Sequence, residues 1–184
     1  MKHSYMYGDK MDINKKCVID IETNGDPWTG RIISIGIMDV NSREITIFYE
    51  ENEEILLMHF LQFFNKNGFN HIIGFNVSYD IRFIFSKCLK YRLTANGFFK
   101  APTTDLMVLL KKINTSFSYN RPGQLSEWGK LIGKNKMLKS APVPILFQQK
   151  KMDEILAYNK NDLELTYELW KRIRLVLDGY SNGD

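Results

Sequence analysis

The period of apolar and polar positions changes several times along the chain. Cys17–Thr23, CVIDIET, is an apolar run that reads as a strand although it carries Asp20 and Glu22. Turn chemistry follows at 24–30, NGDPWTG. Arg31–Val40 and Arg43–Glu50 read as two more strands joined by a polar link at Asn41–Ser42, which together suggest a β-meander. The period then lengthens. Ile55, Leu56, Phe60, Leu61, Phe63 and Phe64 predict a helix over Glu53–Lys66, ended by Asn67 or Gly68. His71–Phe75 is a short apolar strand, and Asn76–Tyr91 a helix with Ile81, Ile84, Phe85, Cys88 and Leu89 on one face. Beyond a break at Pro102 the pattern predicts helices over Asp105–Lys112 and Gln124–Ile132, then a basic, proline-containing loop over Gly133–Pro144. A last helix runs from about Met152 to Leu177. Its acids come early (Asp153, Glu154) and its bases late (Lys171, Arg172, Arg174), which suits the helix dipole.

A meander followed by strand–helix units implies a mixed sheet with helices on its faces. In such sheets, sites form beyond the carboxyl ends of central strands, which is where Asp20 and Glu22 fall. The 184 residues suit one domain over 16–178, with a lead-in over 1–15 and a tail over 179–184. An apolar share of 44% is ordinary for a soluble globular domain. Two cysteines, Cys17 and Cys88, make neither a disulfide framework nor a metal cluster. They read as small buried hydrophobes in an intracellular, cytoplasmic setting. No apolar run suggests a membrane span. The net charge of +4 permits a polyanionic partner without demanding one; Lys134, Lys136 and Lys139 cluster in one loop, and Lys150 and Lys151 form a second cluster.

Asp20 and Glu22 alternate along one strand, so both point to one face, and crowded buried carboxylates are costly unless compensated. Hard divalent cations would compensate them, because such ions take oxygen ligands. A pair of ions can serve phosphodiester hydrolysis when roughly four carboxylates converge on them. Two further acids lie in suitable places. Asp80 shares a helix face with Asn76, four residues before it. Asp162 stands four residues after Tyr158 on the last helix, so the phenol can lie beside that carboxylate and orient a water. Each pattern alone recurs by chance, and the argument rests on their joint order.

These residues resemble the DEDD superfamily of 3′–5′ exonucleases. DIET (Asp20–Thr23) matches the first motif, NVSYD (Asn76–Asp80) the second, and YNKND (Tyr158–Asp162) the third in the form of the tyrosine subclass. The likeness is nearest to the proofreading domain of family B DNA polymerases and extends from about Lys16 to Leu177, including GQLSEWGKLIGKNK. The resemblance implies an α/β, ribonuclease H-like fold with a mixed five-stranded sheet flanked by helices. It implies Asp20, Glu22, Asp80 and Asp162 as ligands of two Mg²⁺ or Mn²⁺ ions, and Tyr158 as the residue orienting the attacking water. Thr23, Asn76 and Tyr79 would contact the 3′-terminal nucleotides. Lys136 or Lys139 would approach the scissile phosphate. Asp105 reads as a structural cap outside the metal set. His3, His59 and His71 read as surface or packing residues, and Trp28, Trp128 and Trp170 as residues of the core or its rim.

The expected activity is therefore metal-dependent removal of 5′-mononucleotides from single-stranded 3′ ends, with DNA favoured. An RNA-trimming enzyme of the same chemistry and a non-catalytic single-strand-binding module are the alternatives. The expected partner is a single-stranded DNA 3′ end, with RNA as the second choice and no membrane. This reading leaves room for a polymerase or replication/repair partner, which the sequence does not identify, and no palm or thumb segment is evident. The reading fits either a free-standing exonuclease or an excised proofreading domain.

Overall fold

A computed structural model describes residues 15–113, 123–137 and 141–178. The lead-in before Lys15, the tail after Asp178 and Lys139 lie outside the described residues. The elements run β1 (Lys16–Thr23), β2 (Ile32–Asp39), β3 (Ile45–Phe48), α1 (Glu53–Lys66), β4 (His71–Gly74), α2 (Val77–Tyr91), α3 (Asn96–Lys100), β5 (Thr103–Asp105), α4 (Leu106–Ile113), α5 (Leu125–Leu131), α6 (Val143–Gln148) and α7 (Met152–Asp178). The five strands form one mixed sheet in the order β3-β2-β1-β4-β5. β1–β2 and β2–β3 are antiparallel, which is the expected meander, and β1–β4 and β4–β5 are parallel.

β1 is the central strand, and its alternation divides the core. Cys17, Ile19 and Ile21 pack with α1, α2 and α3 through Phe60, Phe64, Phe83 and Phe98. Val18 faces the other way, into a cluster with Leu106, Leu163 and Leu169. A third cluster joins Ile33 to Leu146, Ile155 and Tyr158 where α6 meets the start of α7. Both cysteines are buried and free, as expected. α1 has the predicted bounds. Asn52 caps it by accepting from the amides of Glu54 (2.9 Å) and Ile55 (3.2 Å), and Gly68 follows it with φ +68°.

Four elements depart from the expectation. β5 has three residues, too few for alternation to register, and it follows Pro102 as an edge strand beside β4. α3, with five residues, is similarly short. α6 begins inside the predicted proline-containing loop, because Pro144 lies in its first turn, where the missing amide costs nothing. α7 runs on to Asp178, so its late bases fall short of the last turn and Arg174 pairs with Asp178 at 2.9 Å.

Candidate active site

Asp20 and Glu22 alternate with Ile19 and Ile21 and so point to the face that α7 crosses. Gly36 is the register partner of Asp20 on β2. A Cβ at Gly36 would lie 2.7 Å from both Asn159 Oδ1 and Leu163 Cδ1, so a glycine there lets α7 approach the sheet. Asn159 Nδ2 then donates to Asp20 Oδ2 (2.7 Å) and to the Asp20 carbonyl (3.0 Å). Ser34 Oγ donates to Asn159 Oδ1 at 3.4 Å. Asp162, three residues on, shares that helix face. One oxygen from each of Asp20, Glu22 and Asp162 lies within 4.8 Å of the others. Asp80 is held alongside by the strand itself, since its Oδ1 accepts the Ile21 amide at 2.9 Å. It is buried in the first turn of α2, where a solvated acid would be the plainer expectation.

The cluster is electrostatically loaded. Burial, then the charges of Asp162, Asp80 and Glu22, push the Asp20 carboxyl well above its usual range, against the Asn159 hydrogen bond that favours the charged form. Burial pushes Asp80 up to about 8 despite its backbone hydrogen bonds. A cation at the cluster would reverse both effects. The donors are all oxygen, the set that hard divalent ions prefer. Asp162 Oδ1 is buried without a hydrogen-bond partner, which leaves an oxygen for a cation to satisfy. The residues fit a divalent metal.

A cleft of about 670 Å³ opens over Asp20 and Asp162 and is also lined by Asn76, Gln124, Glu127 and Lys136. Lys136 Nζ sits 2.6 Å from Asp162 Oδ2. Asn76 precedes α2 in the left-handed region, φ 60°, and makes no side-chain cap bond. Asp105 holds this corner, as the expected structural cap. It accepts from the amides of Asn76 (3.0 Å), Ser78 (3.3 Å) and Met107 (3.1 Å) and from Ser78 Oγ (2.9 Å). Thr23 and Tyr79 meet through their hydroxyls at 3.4 Å, and Tyr79 also donates to the Gly25 carbonyl at 3.0 Å. The pair stands at the end of β1, outside the lining of the 670 Å³ cleft. Tyr158 is buried in the third core cluster, and its hydroxyl donates to Glu154 Oε1 at 2.9 Å.

Trp28 departs from the expectation of a core or rim residue, being 86% exposed. Its turn is fixed from within. Asp26 accepts from the amides of Trp28 (2.7 Å) and Thr29 (2.9 Å) and from Thr29 Oγ1 (2.8 Å), which aims the indole outward. Gly25 and Gly30 pack backbone to backbone, and a Cβ on Gly30 would lie 2.7 Å from Gly25. Trp128 and Trp170 pack against the second core cluster as expected. His71 Nε2 meets Thr104 Oγ1 at 2.8 Å between β4 and β5, a packing role.

Two residues were missed by sequence reasoning. Asn159 lies inside the YNKND motif, and its spacing of three from Asp162 was the available signal. Lys87 is buried on α2 and donates to the carbonyls of Pro27 and Gly30. A lysine on an apolar helix face was its faint signal.

A mixed five-stranded sheet with helices on both faces and acids gathered at the end of its central strand defines an RNase H-like domain. Residues 17–174 match the RNase H superfamily, and the chain belongs to it. It is 32% identical over 168 residues to the uncharacterised protein MJ0365 of Methanocaldococcus jannaschii, covering 85% of this chain and 93% of that one. Its fold is similar to part of the family B DNA polymerase of the hyperthermophilic archaeon Pyrobaculum calidifontis, with a TM-score of 0.65 and 15% identity. That match covers 87% of this chain and 24% of the polymerase, so the chain spans about a quarter of the polymerase's length. Superfamily membership suggests a nuclease acting on nucleic acid. Among the described residues no helix is long and apolar enough to cross a membrane.

Proposed function

We propose that this protein is a metal-dependent 3′–5′ exonuclease that removes 5′-mononucleotides from single-stranded ends, with DNA preferred over RNA. The observation that carries the reading is the convergence of Asp20, Glu22 and Asp162 within 4.8 Å, from a strand and a helix far apart in sequence. Asp80, bonded to the amide between Asp20 and Glu22, is the fourth acid of the set. Divalent ions at such a set supply an activated water and stabilise the departing oxygen. Asp20, Glu22, Asp80 and Asp162 hold the ions, and Asn159 fixes the Asp20 carboxylate for that task. Asn76 on the cleft wall and the Thr23–Tyr79 pair beside it hold the terminal nucleotides, the tyrosine ring offering a stacking face. Tyr158 orients the attacking water, its hydroxyl donating to Glu154 while its oxygen accepts from the water. A cleft of about 670 Å³ is the size of a small-ligand pocket, enough to receive a strand terminus. The likeness to a quarter of a family B DNA polymerase favours DNA, since the catalytic acids themselves do not choose between sugars.

The test is digestion of end-labelled DNA and RNA oligonucleotides with Mg²⁺ or with EDTA. A 3′ label should be released at once as mononucleotide, and a 5′ label should pass down a ladder, in Mg²⁺ only. Asp20→Ala should abolish cleavage and keep the wild-type circular dichroism spectrum. Internal cutting, activity in EDTA or wild-type turnover by Asp20→Ala would contradict the reading.

A further inference from the structure

Lys136 stands where a divalent cation is wanted. Its Nζ lies 2.6 Å from Asp162 Oδ2, with the two side chains 25% and 9% exposed, so solvent screens the pair only partly. Asp162 is one of the three acids whose oxygens converge, and its other oxygen is buried without a partner. A lysine ammonium is a compact point charge on a flexible stem. It balances one carboxylate oxygen and leaves the remaining charge of the cluster in place. The backbone beneath it is pinned. The Met137 amide donates to Asn161 Oδ1 at 2.8 Å, next to Asp162, and the Lys134 amide donates to the Gly129 carbonyl at 2.8 Å. The backbone on either side of Lys136 is therefore tied to α7 and α5, and the flexible lysine stem gives the ammonium its reach. The same side chain lines the cleft.

We infer that Lys136 is a resident counter-cation that exchanges with the metal. In the metal-free protein it neutralises Asp162. A divalent ion taking Asp162 Oδ2 displaces the ammonium into the cleft, where it meets a phosphate of the strand end. The inference rests on the metal-dependent reading of the site. It has two consequences. Metal entry works against the ion pair, so resting metal affinity is weaker than the carboxylates alone would give. A phosphate that draws Lys136 away tightens metal binding, and by linkage the metal tightens strand binding to the same degree.

The experiment is Mn²⁺ titration of the full chain, without nucleic acid, by calorimetry and electron paramagnetic resonance. Lys136→Met should bind Mn²⁺ on the order of tenfold more tightly than wild type, the scale of a lost charge-assisted hydrogen bond. Lys136→Gln serves the same purpose if the methionine variant folds poorly, and Lys136→Arg should stay near wild type. Lys134→Met removes an exposed charge from the same loop. It should change the affinity by no more than about twofold, because exposed charges are screened. Equal affinity in Lys136→Met and Lys134→Met overturns the exchange while leaving the metal site standing. Absence of Mn²⁺ binding in every form, wild type included, overturns the metal-dependent reading and the exchange with it.

Discussion

Asp80 is 6% exposed, with one carboxylate oxygen on the amide of Ile21. Its carboxyl titrates near 8 in the folded protein against an ordinary value of 3.8. The folded state therefore binds a proton that the unfolded chain has already released between those two values. Its stabilising contribution is complete below about pH 4 and is lost as pH rises to about 8. Asp20, raised in the same direction by burial and its acidic neighbours, adds to the trend. In EDTA, the melting temperature should decline across that window. Asp80→Asn should flatten the decline and melt higher than wild type at pH 8, and Mn²⁺ should restore wild-type stability there. Parallel pH profiles for wild type and Asp80→Asn would show that the carboxyl is not under this load. Among the single residues, the four acids were legible as chemistry in the sequence because each sits in a short motif. Asn159 lies inside one of those motifs, but the motif pattern assigns it no role. Its contact with Asp20 depends on the helix-to-sheet distance that Gly36 permits, and spacing along one chain segment does not reveal such a distance.

The turn after β1 and the helix α2 act as one element. Lys87, 2% exposed on α2, reaches the carbonyls of Pro27 and Gly30 and lies 5.1 Å from the Phe83 ring centroid. Ser86 Oγ adds a bond to the Pro27 carbonyl at 2.7 Å. The turn carries the Gly25 carbonyl on which Tyr79 rests, so the nucleotide-binding edge proposed above inherits its rigidity from Lys87. Lys87→Met keeps the volume of the side chain, leaves the Pro27 carbonyl with Ser86 Oγ and takes the lysine donor from the Gly30 carbonyl. It should cost about 1–3 kcal/mol of stability. Hydrogen exchange should quicken at amides 24–30 and stay unchanged in α1. Unchanged protection in that turn would remove the role assigned to Lys87. Beyond that faint signal this was not legible, because a buried lysine among apolar neighbours looks in sequence like an ordinary surface cation. The exposure of Trp28 was hidden for a related reason. The Asp26 side chain folds the turn so that the indole leaves the core, and tryptophan composition alone argues for the opposite.

Across the whole molecule, periodicity carried the meander, α1, β4, α2 and α7, since each is long enough or apolar enough to show its period. It missed β5, α3 and α6, which have three, five and six residues and are set by their neighbours more than by their own pattern. The gathering of Asp162 with Asp20 was legible only through the ordered motifs, because it is made by the long helix α7 laid across β1 and β2. The pairing of Lys136 with Asp162 was not legible in the sequence. A loop lysine's partner depends on the fold of the chain around it. The central claim is that the acids of β1 and α7 together hold divalent metal. Its most direct measurement is the anomalous diffraction of crystals grown with Mn²⁺. The account predicts a peak about 2.1 Å from carboxylate oxygens of Asp20, Glu22 and Asp162, lost in an Asp162→Asn crystal. A cleft without anomalous density at saturating Mn²⁺, or a peak bound elsewhere on the chain, would contradict it.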